Sequence, residues 1–124
     1  MALFSEGQYA QEDCQRALKD RLGRLTTTFP VITEAFYFLN PQSERELLWE
    51  FVLSRALRLA EILPADLSRM RSLMKKYSDL PMDFADASLV AMAESLNVRK
   101  VFTLDRRHFS VYRPRHTHSF EVFP

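Results

Sequence analysis

The stretch DFADASLVAMAESLNVRKVFTLDRRHF, residues 83–109, combines a helix pattern, a strand pattern and three aspartates. Residues 83–96 are mostly apolar and rich in alanine, which indicates a buried helix that begins at Asp83 and has Asp86 in its first turn. The run KVFTL is typical of a buried strand, and Asp105 follows it directly. In sheets of parallel strands, ligands bind at the carboxyl ends of the strands. The stretch therefore predicts an α/β domain in which Asp105 lies at such an end.

Helix patterns alternate with short apolar runs along the rest of the chain. Helices are predicted at residues 8–22 with Gly23 as C-cap, at residues 30–39, from Ser43 with a Ser43–Glu46 capping box, and from Pro64. The helix from Pro64 is expected to bury one face formed by Leu67, Met70, Met74 and Tyr77. Strands are predicted at residues 26–29, 57–63 and 120–123. This alternation favours a largely parallel sheet.

Length and composition limit the possible classes of protein. The 124 residues form a single domain, 1–124, with a formal charge of +1, so the overall field favours neither a nucleic acid nor a membrane. No apolar run approaches the roughly 20 residues of a membrane span, and residues 1–14 do not resemble a signal peptide. A single cysteine, Cys14, fits a reducing cytoplasm. With only two glycines, the chain has no glycine-rich phosphate loop.

Four acidic residues lie in or beside apolar surroundings, and each has an ordinary structural explanation. Asp83 is a candidate helix cap, Asp105 a candidate turn residue, and Glu34 a candidate ion-pair partner for an arginine. Asp86 lies on a largely apolar helix, where a carboxylate is costly unless it is paired, hydrogen-bonded or bound to a metal. Its ordinary explanation is the first helical turn, whose free N–H groups and dipole favour a negative charge. If Glu34, Asp83, Asp86 and Asp105 converge, they provide the oxygen ligands that Mg²⁺ or Mn²⁺ prefers. Such a cluster could assist phosphodiester hydrolysis.

Basic residues are concentrated after residue 98, although the net charge is small. Arg106 and Arg107 follow Asp105 directly, and basic side chains beside an acidic site suit a phosphate backbone. A solvated surface run explains each arginine equally well. The histidines His108, His116 and His118 lack the spacing of a zinc protease, and one cysteine cannot form a zinc site.

Three segments resemble the PIN-domain proteins, in particular the toxin ribonucleases of VapBC-type toxin–antitoxin pairs. They are LPMDFADASLVAMAESLNVRKVFTLDRRHFSVYRP at residues 80–114, PVITEAFYFL at 30–39 and FEVFP at 120–124. The most specific elements are TEA, the Asp-Ala pair at Asp86, and the T-L-D-x-x-x-F motif that contains Asp105. The resemblance extends over essentially the whole chain.

This resemblance implies a three-layer α/β/α sandwich around a mostly parallel sheet. It also implies an endoribonuclease that uses Mg²⁺ or Mn²⁺, with Glu34, Asp86 and Asp105 as catalytic metal ligands and Asp83 as an accessory acid. Thr103 corresponds to the polar residue beside the last aspartate, while His108 stands where many relatives carry another acid. The resemblance further implies an RNA substrate, a cognate antitoxin, a homodimer and a cytoplasmic location.

The resemblance also raises an expectation about the first strand of the family, which ends in Asp-Thr or Asp-Ser. In the family that strand precedes a segment similar to ALFSEGQYAQ, residues 2–11, so the strand and its metal-binding aspartate are expected to be missing from residues 1–124. A start codon assigned too late, a true truncation, or a strand supplied by a partner would each explain this. We expect weak or no nuclease activity for this form compared with an upstream-extended one. The rival interpretation is a non-catalytic PIN-like module that binds RNA or protein.

Overall fold

A computed structural model describes residues 23–39, 42–103 and 106–123. The side chains of these residues are described as well, except those of Arg106 and Phe123. Within these ranges the elements follow one another as β1 (Leu25–Thr28), α1 (Phe29–Phe38), α2 (Gln42–Leu53), β2 (Leu57–Ala60), α3 (Pro64–Lys76), α4 (Phe84–Leu96), β3 (Lys100–Phe102), α5 (Arg106–Val111) and β4 (Glu121–Phe123). The helix predicted at residues 8–22 lies outside the described residues, as does the C-cap role of Gly23 that depends on it.

The described strands form two parallel pairs. In the first pair β1 lies beside β2, with Leu25 opposite Leu57 and Thr28 opposite Ala60. In the second pair β3 lies beside β4, with Val101 opposite Val122. The predicted α/β fold with parallel strands is therefore confirmed.

Two apolar clusters lie on the two faces of the strands. Leu25, Leu57 and Phe102 pack with residues of α1 and α2 in one cluster. Val101 packs with residues of α3, α4 and α5 in the other. Adjacent residues of β3 thus point to opposite faces, as the pleat of a strand requires. The strands lie between helices on both faces, which is the layered arrangement expected for this fold class.

Helix α4 is the centre of the larger cluster. Eight of its residues, from Ala85 to Ala93, are buried, which agrees with the apolar pattern of the sequence. Its C-terminus is closed by Asn97, which adopts a left-handed conformation with φ of 54°. The N–H of Val98 then donates to the carbonyl of Ala93 over 2.8 Å. None of the described helices is long and apolar enough to cross a membrane.

Some predicted boundaries and faces are wrong in detail. Helix α2 begins at Gln42, so Ser43 lies inside it and the predicted Ser43–Glu46 capping box does not form; the amide of Gln42 donates to Glu46 instead. The strand predicted at residues 57–63 ends at Ala60, because Leu63 already precedes the first turn of α3 and donates its N–H to Asp66. On α3, Leu67 is exposed, while Leu73 takes its place in the buried face.

Candidate metal centre

A cleft of about 190 Å³ opens between the N-terminus of α4, helix α1 and the start of α5. Three of its described lining residues are acidic, and all three were singled out from the sequence. Among the described residues, the lining consists of Val31, Glu34, Pro81, Asp83, Ala85, Asp86, Leu89, Thr103, His108 and Phe109. The fold thus brings together carboxylates that are far apart in the sequence.

Glu34 projects from α1 into this cleft. Burial raises the pKa of Glu34 to about 7, helped by a hydrogen bond with Asp83 and by repulsion from Asp83 and Asp86. The ion pair with an arginine that would have explained Glu34 structurally is not formed with any described residue. Among the described residues, Glu34 therefore faces other acids and forms no ion pair with a basic side chain.

Asp83 is the N-cap of α4, as the sequence predicts. Its Oδ1 accepts a hydrogen bond from the backbone N–H of Asp86 over 2.8 Å. Asp83 also lines the cleft beside Glu34, so its capping role and its place in the acidic group occur together. The two explanations weighed for Asp83 are compatible.

Asp86 lies in the first turn of α4, where backbone N–H groups and the helix dipole favour a negative charge. Its Oδ2 accepts a hydrogen bond from the hydroxyl of Tyr112 over 3.2 Å. Tyr112 is fully buried just after α5. Tyr112 was not predicted for the site, because a lone tyrosine in a sequence gives no indication of where its hydroxyl lies.

The structure describes some, but not all, of the other residues that the sequence predicted for the site. Thr103, fully buried, and His108 both line the cleft. Asp105 lies outside the described residues, as does the side chain of Arg106, whose backbone begins α5. Arg107 is exposed on that helix.

The chemistry of the cleft fits a hard divalent cation. Carboxylate oxygens are the ligands that Mg²⁺ and Mn²⁺ prefer, and a cation would relieve the repulsion around Glu34. In the part of the chain that the structure describes, no three His, Cys, Asp or Glu side chains already enclose a point where a metal could bind. The described acidic residues thus supply suitable ligands along one cleft, but they do not surround a single metal position.

Comparison with known protein families gives a match over nearly the whole chain. The family model for the PIN domain matches residues 1–114. The chain belongs to the PIN domain family. Glu34, Asp83, Asp86 and Asp105 all fall within the part matched to the PIN domain.

A curated relative carries a more specific name. Over 69 residues the chain is 38% identical to Ribonuclease VapC26 of Mycobacterium tuberculosis. The aligned part is 56% of this PIN-domain chain, and it spans about half, 51%, of the relative's length. The similarity therefore covers only part of the length of each protein.

Proposed function

We propose that this PIN-domain chain is an endoribonuclease that hydrolyses RNA phosphodiester bonds with Mg²⁺ or Mn²⁺. The observation that carries the proposal is the convergence of Glu34, Asp83 and Asp86 on one cleft. The similarity to a protein named a ribonuclease supports the choice of RNA as the substrate.

In this proposal Glu34, Asp86 and Asp105 are the catalytic metal ligands, and Asp83 is an accessory ligand. The metal, when bound, would offset charge on the phosphate and lower the pKa of a bound water. A deprotonated carboxylate of the cleft would accept the proton of the attacking water. Arg106 and Arg107 would hold the RNA backbone, because guanidinium groups bind phosphate oxygens through paired hydrogen bonds.

The cellular role belongs to the same proposal. We propose that the chain is the toxin of a VapBC-type pair, neutralised by a cognate antitoxin, homodimeric and cytoplasmic. These statements rest on the resemblance of the sequence motifs and on the relative's name.

The experiment compares the wild-type chain with Asp86→Asn and Glu34→Gln in two separate assays. Isothermal titration measures Mn²⁺ binding, and a gel assay measures cleavage of single-stranded RNA with Mn²⁺. Asp79→Asn is the matched control, because Asp79 is exposed and does not line the cleft. We expect both cleft variants to lose any cleavage that the wild type shows and to bind Mn²⁺ at least about tenfold more weakly, while the control matches the wild type.

Two outcomes would contradict the proposal in different ways. RNA cleavage that survives unchanged in Asp86→Asn would mean that the cleft is not the active site. Mn²⁺ binding without RNA cleavage by either the wild type or an upstream-extended form, together with RNA or protein binding that Asp86→Asn leaves unchanged, would favour the non-catalytic module.

A further inference from the structure

Tyr112 is held rigidly in the core directly behind the acidic cleft. Its ring lies 5.0 Å from that of Tyr77 and 5.1 Å from that of Phe109, the latter edge to face. The ring of His108 stacks on it at 6.5 Å. Its backbone N–H donates to the carbonyl of His108 over 3.1 Å. Contacts from three aromatic rings leave a fully buried side chain little freedom to move.

The hydroxyl of Tyr112 connects this rigid core to the cleft. It donates a hydrogen bond to Oδ2 of Asp86 over 3.2 Å, and Asp86 lines the cleft. A buried hydroxyl requires a partner, and an acceptor that carries a charge gives the stronger bond. The bond therefore restrains one oxygen of Asp86 and leaves the rotation of that carboxylate less free.

Tyr77 provides a natural comparison within the same aromatic group. Its hydroxyl accepts a hydrogen bond from the backbone N–H of Arg113 over 2.8 Å. This bond fixes the chain next to Tyr112 to the residue that follows α3. Tyr77 is also buried, but it does not line the cleft. The two tyrosines thus have similar packing and different hydroxyl partners.

We propose that Tyr112 is a positioning residue that fixes the carboxylate of Asp86 in the orientation required for a divalent cation. The inference rests on the proposed metal-dependent function and adds to it a residue outside the acidic group. Hydrogen bonds to a metal-binding carboxylate fix its orientation. Their removal commonly lowers metal affinity or activity by about 10–100-fold.

The test compares Mn²⁺ affinity in the wild-type chain, Tyr112→Phe and Tyr77→Phe by isothermal titration. Each variant removes one hydroxyl and keeps the ring. The titrations are run at a temperature at which circular dichroism shows that the wild type and both variants are folded. We expect Tyr112→Phe to weaken Mn²⁺ binding about tenfold or more. We expect Tyr77→Phe to lower stability and to keep the affinity within about twofold, because its hydroxyl contacts backbone.

Equal Mn²⁺ affinity in Tyr112→Phe and the wild type would overturn the inference. An equal loss in both variants would also overturn it, since the effect would then come from packing. RNA cleavage is measured separately, so Mn²⁺ binding by the wild type with no RNA cleavage by it or by an upstream-extended form contradicts only the proposed function. A wild type that binds no Mn²⁺ contradicts both.

Discussion

The hydroxyl oxygens of Thr28 and Ser88 lie 2.6 Å apart, although the two residues are 60 positions apart in the sequence. The Ser88 hydroxyl also donates to the carbonyl of Ala85 over 2.7 Å. Because each hydroxyl carries one hydrogen, Thr28 must donate and Ser88 must accept in their shared bond. This buried bond ties the end of β1 to the helix that carries Asp86.

Replacement of Ser88 by alanine tests this connection. Ser88→Ala leaves the buried Thr28 hydroxyl without this acceptor, and we expect the free energy of unfolding to fall by about 1–3 kcal/mol in urea titrations. The double variant Thr28→Val/Ser88→Ala should cost less than the sum of the single variants, because no hydroxyl is then left unpaired. Strict additivity would mean that the bond is not energetically significant.

Local features of the site are readable from the sequence. Asp83 caps α4 and Asn97 closes it, since caps depend on residues only a few positions away. The buried character of α4 follows from its apolar composition. By contrast, Ser43 carries a suitable capping pattern but lies inside α2, because the preceding residue already belongs to the helix.

Contacts between residues that are far apart in the sequence cannot be predicted from the spacing of residues along the chain. The resemblance assigned Glu34 and Asp86 to one site, but their arrangement with Asp83 around one cleft depends on the packing of α1 against α4. Tyr112 was missed because its proposed role depends on where one hydroxyl lies, which the sequence does not show. The periodicity of α3 predicted a buried Leu67, yet its side chain is exposed.

The cap and the charge of Asp83 can be separated by two substitutions. Asp83→Ala removes the acceptor for the N–H of Asp86, and we expect the free energy of unfolding to fall by about 0.5–2 kcal/mol. Asp83→Asn keeps a capping oxygen and should preserve the stability to within about 0.5 kcal/mol. Both variants should bind Mn²⁺ more weakly in titration calorimetry. Equal destabilisation by the two variants would show that the charge, not the cap, stabilises the helix.

Glu94 links α4 to α3 and makes the stability sensitive to acid. Burial alone would raise the pKa of Glu94, but hydrogen bonds from Arg69 and from the backbone N–H of Arg115 outweigh it and hold the pKa below its ordinary value of 4.5. Both Arg69 bonds measure 2.8 Å. A lowered pKa in the folded protein stabilises it above pH 4.5, and this contribution is lost as the pH falls through the folded value.

The variant Glu94→Gln tests this pH dependence. We expect it to lower the free energy of unfolding at neutral pH by about 1–3 kcal/mol, since it removes charge-assisted hydrogen bonds. The difference from the wild type should shrink in urea titrations at successively lower pH. Glu61→Gln is the control, because Glu61 is exposed in the loop before α3. A difference that is constant with pH would rule out the carboxylate as its source.

The acidic cleft should destabilise the protein until a cation binds. The pKa of Glu34 is raised from 4.5 to about 7, so the folded state favours its protonated form. The stabilising effect of that proton is fully present below pH 4.5 and is lost as the pH rises through about 7. At mildly alkaline pH with EDTA, Glu34→Gln should therefore unfold at a higher temperature than the wild type. The gain should stay below about 1 kcal/mol, because the cleft is open to solvent.

Added Mn²⁺ should reverse that order. The wild type should gain stability because the ion binds only the folded state, whereas Glu34→Gln should gain less because it lacks one carboxylate. Differential scanning calorimetry with EDTA and then with Mn²⁺ measures both effects on the same samples. Glu50→Gln, on the exposed face of α2, is the control and should follow the wild type in both conditions. If Glu34→Gln is less stable than the wild type in EDTA, Glu34 has a stabilising partner, and the cleft is not a site that awaits positive charge.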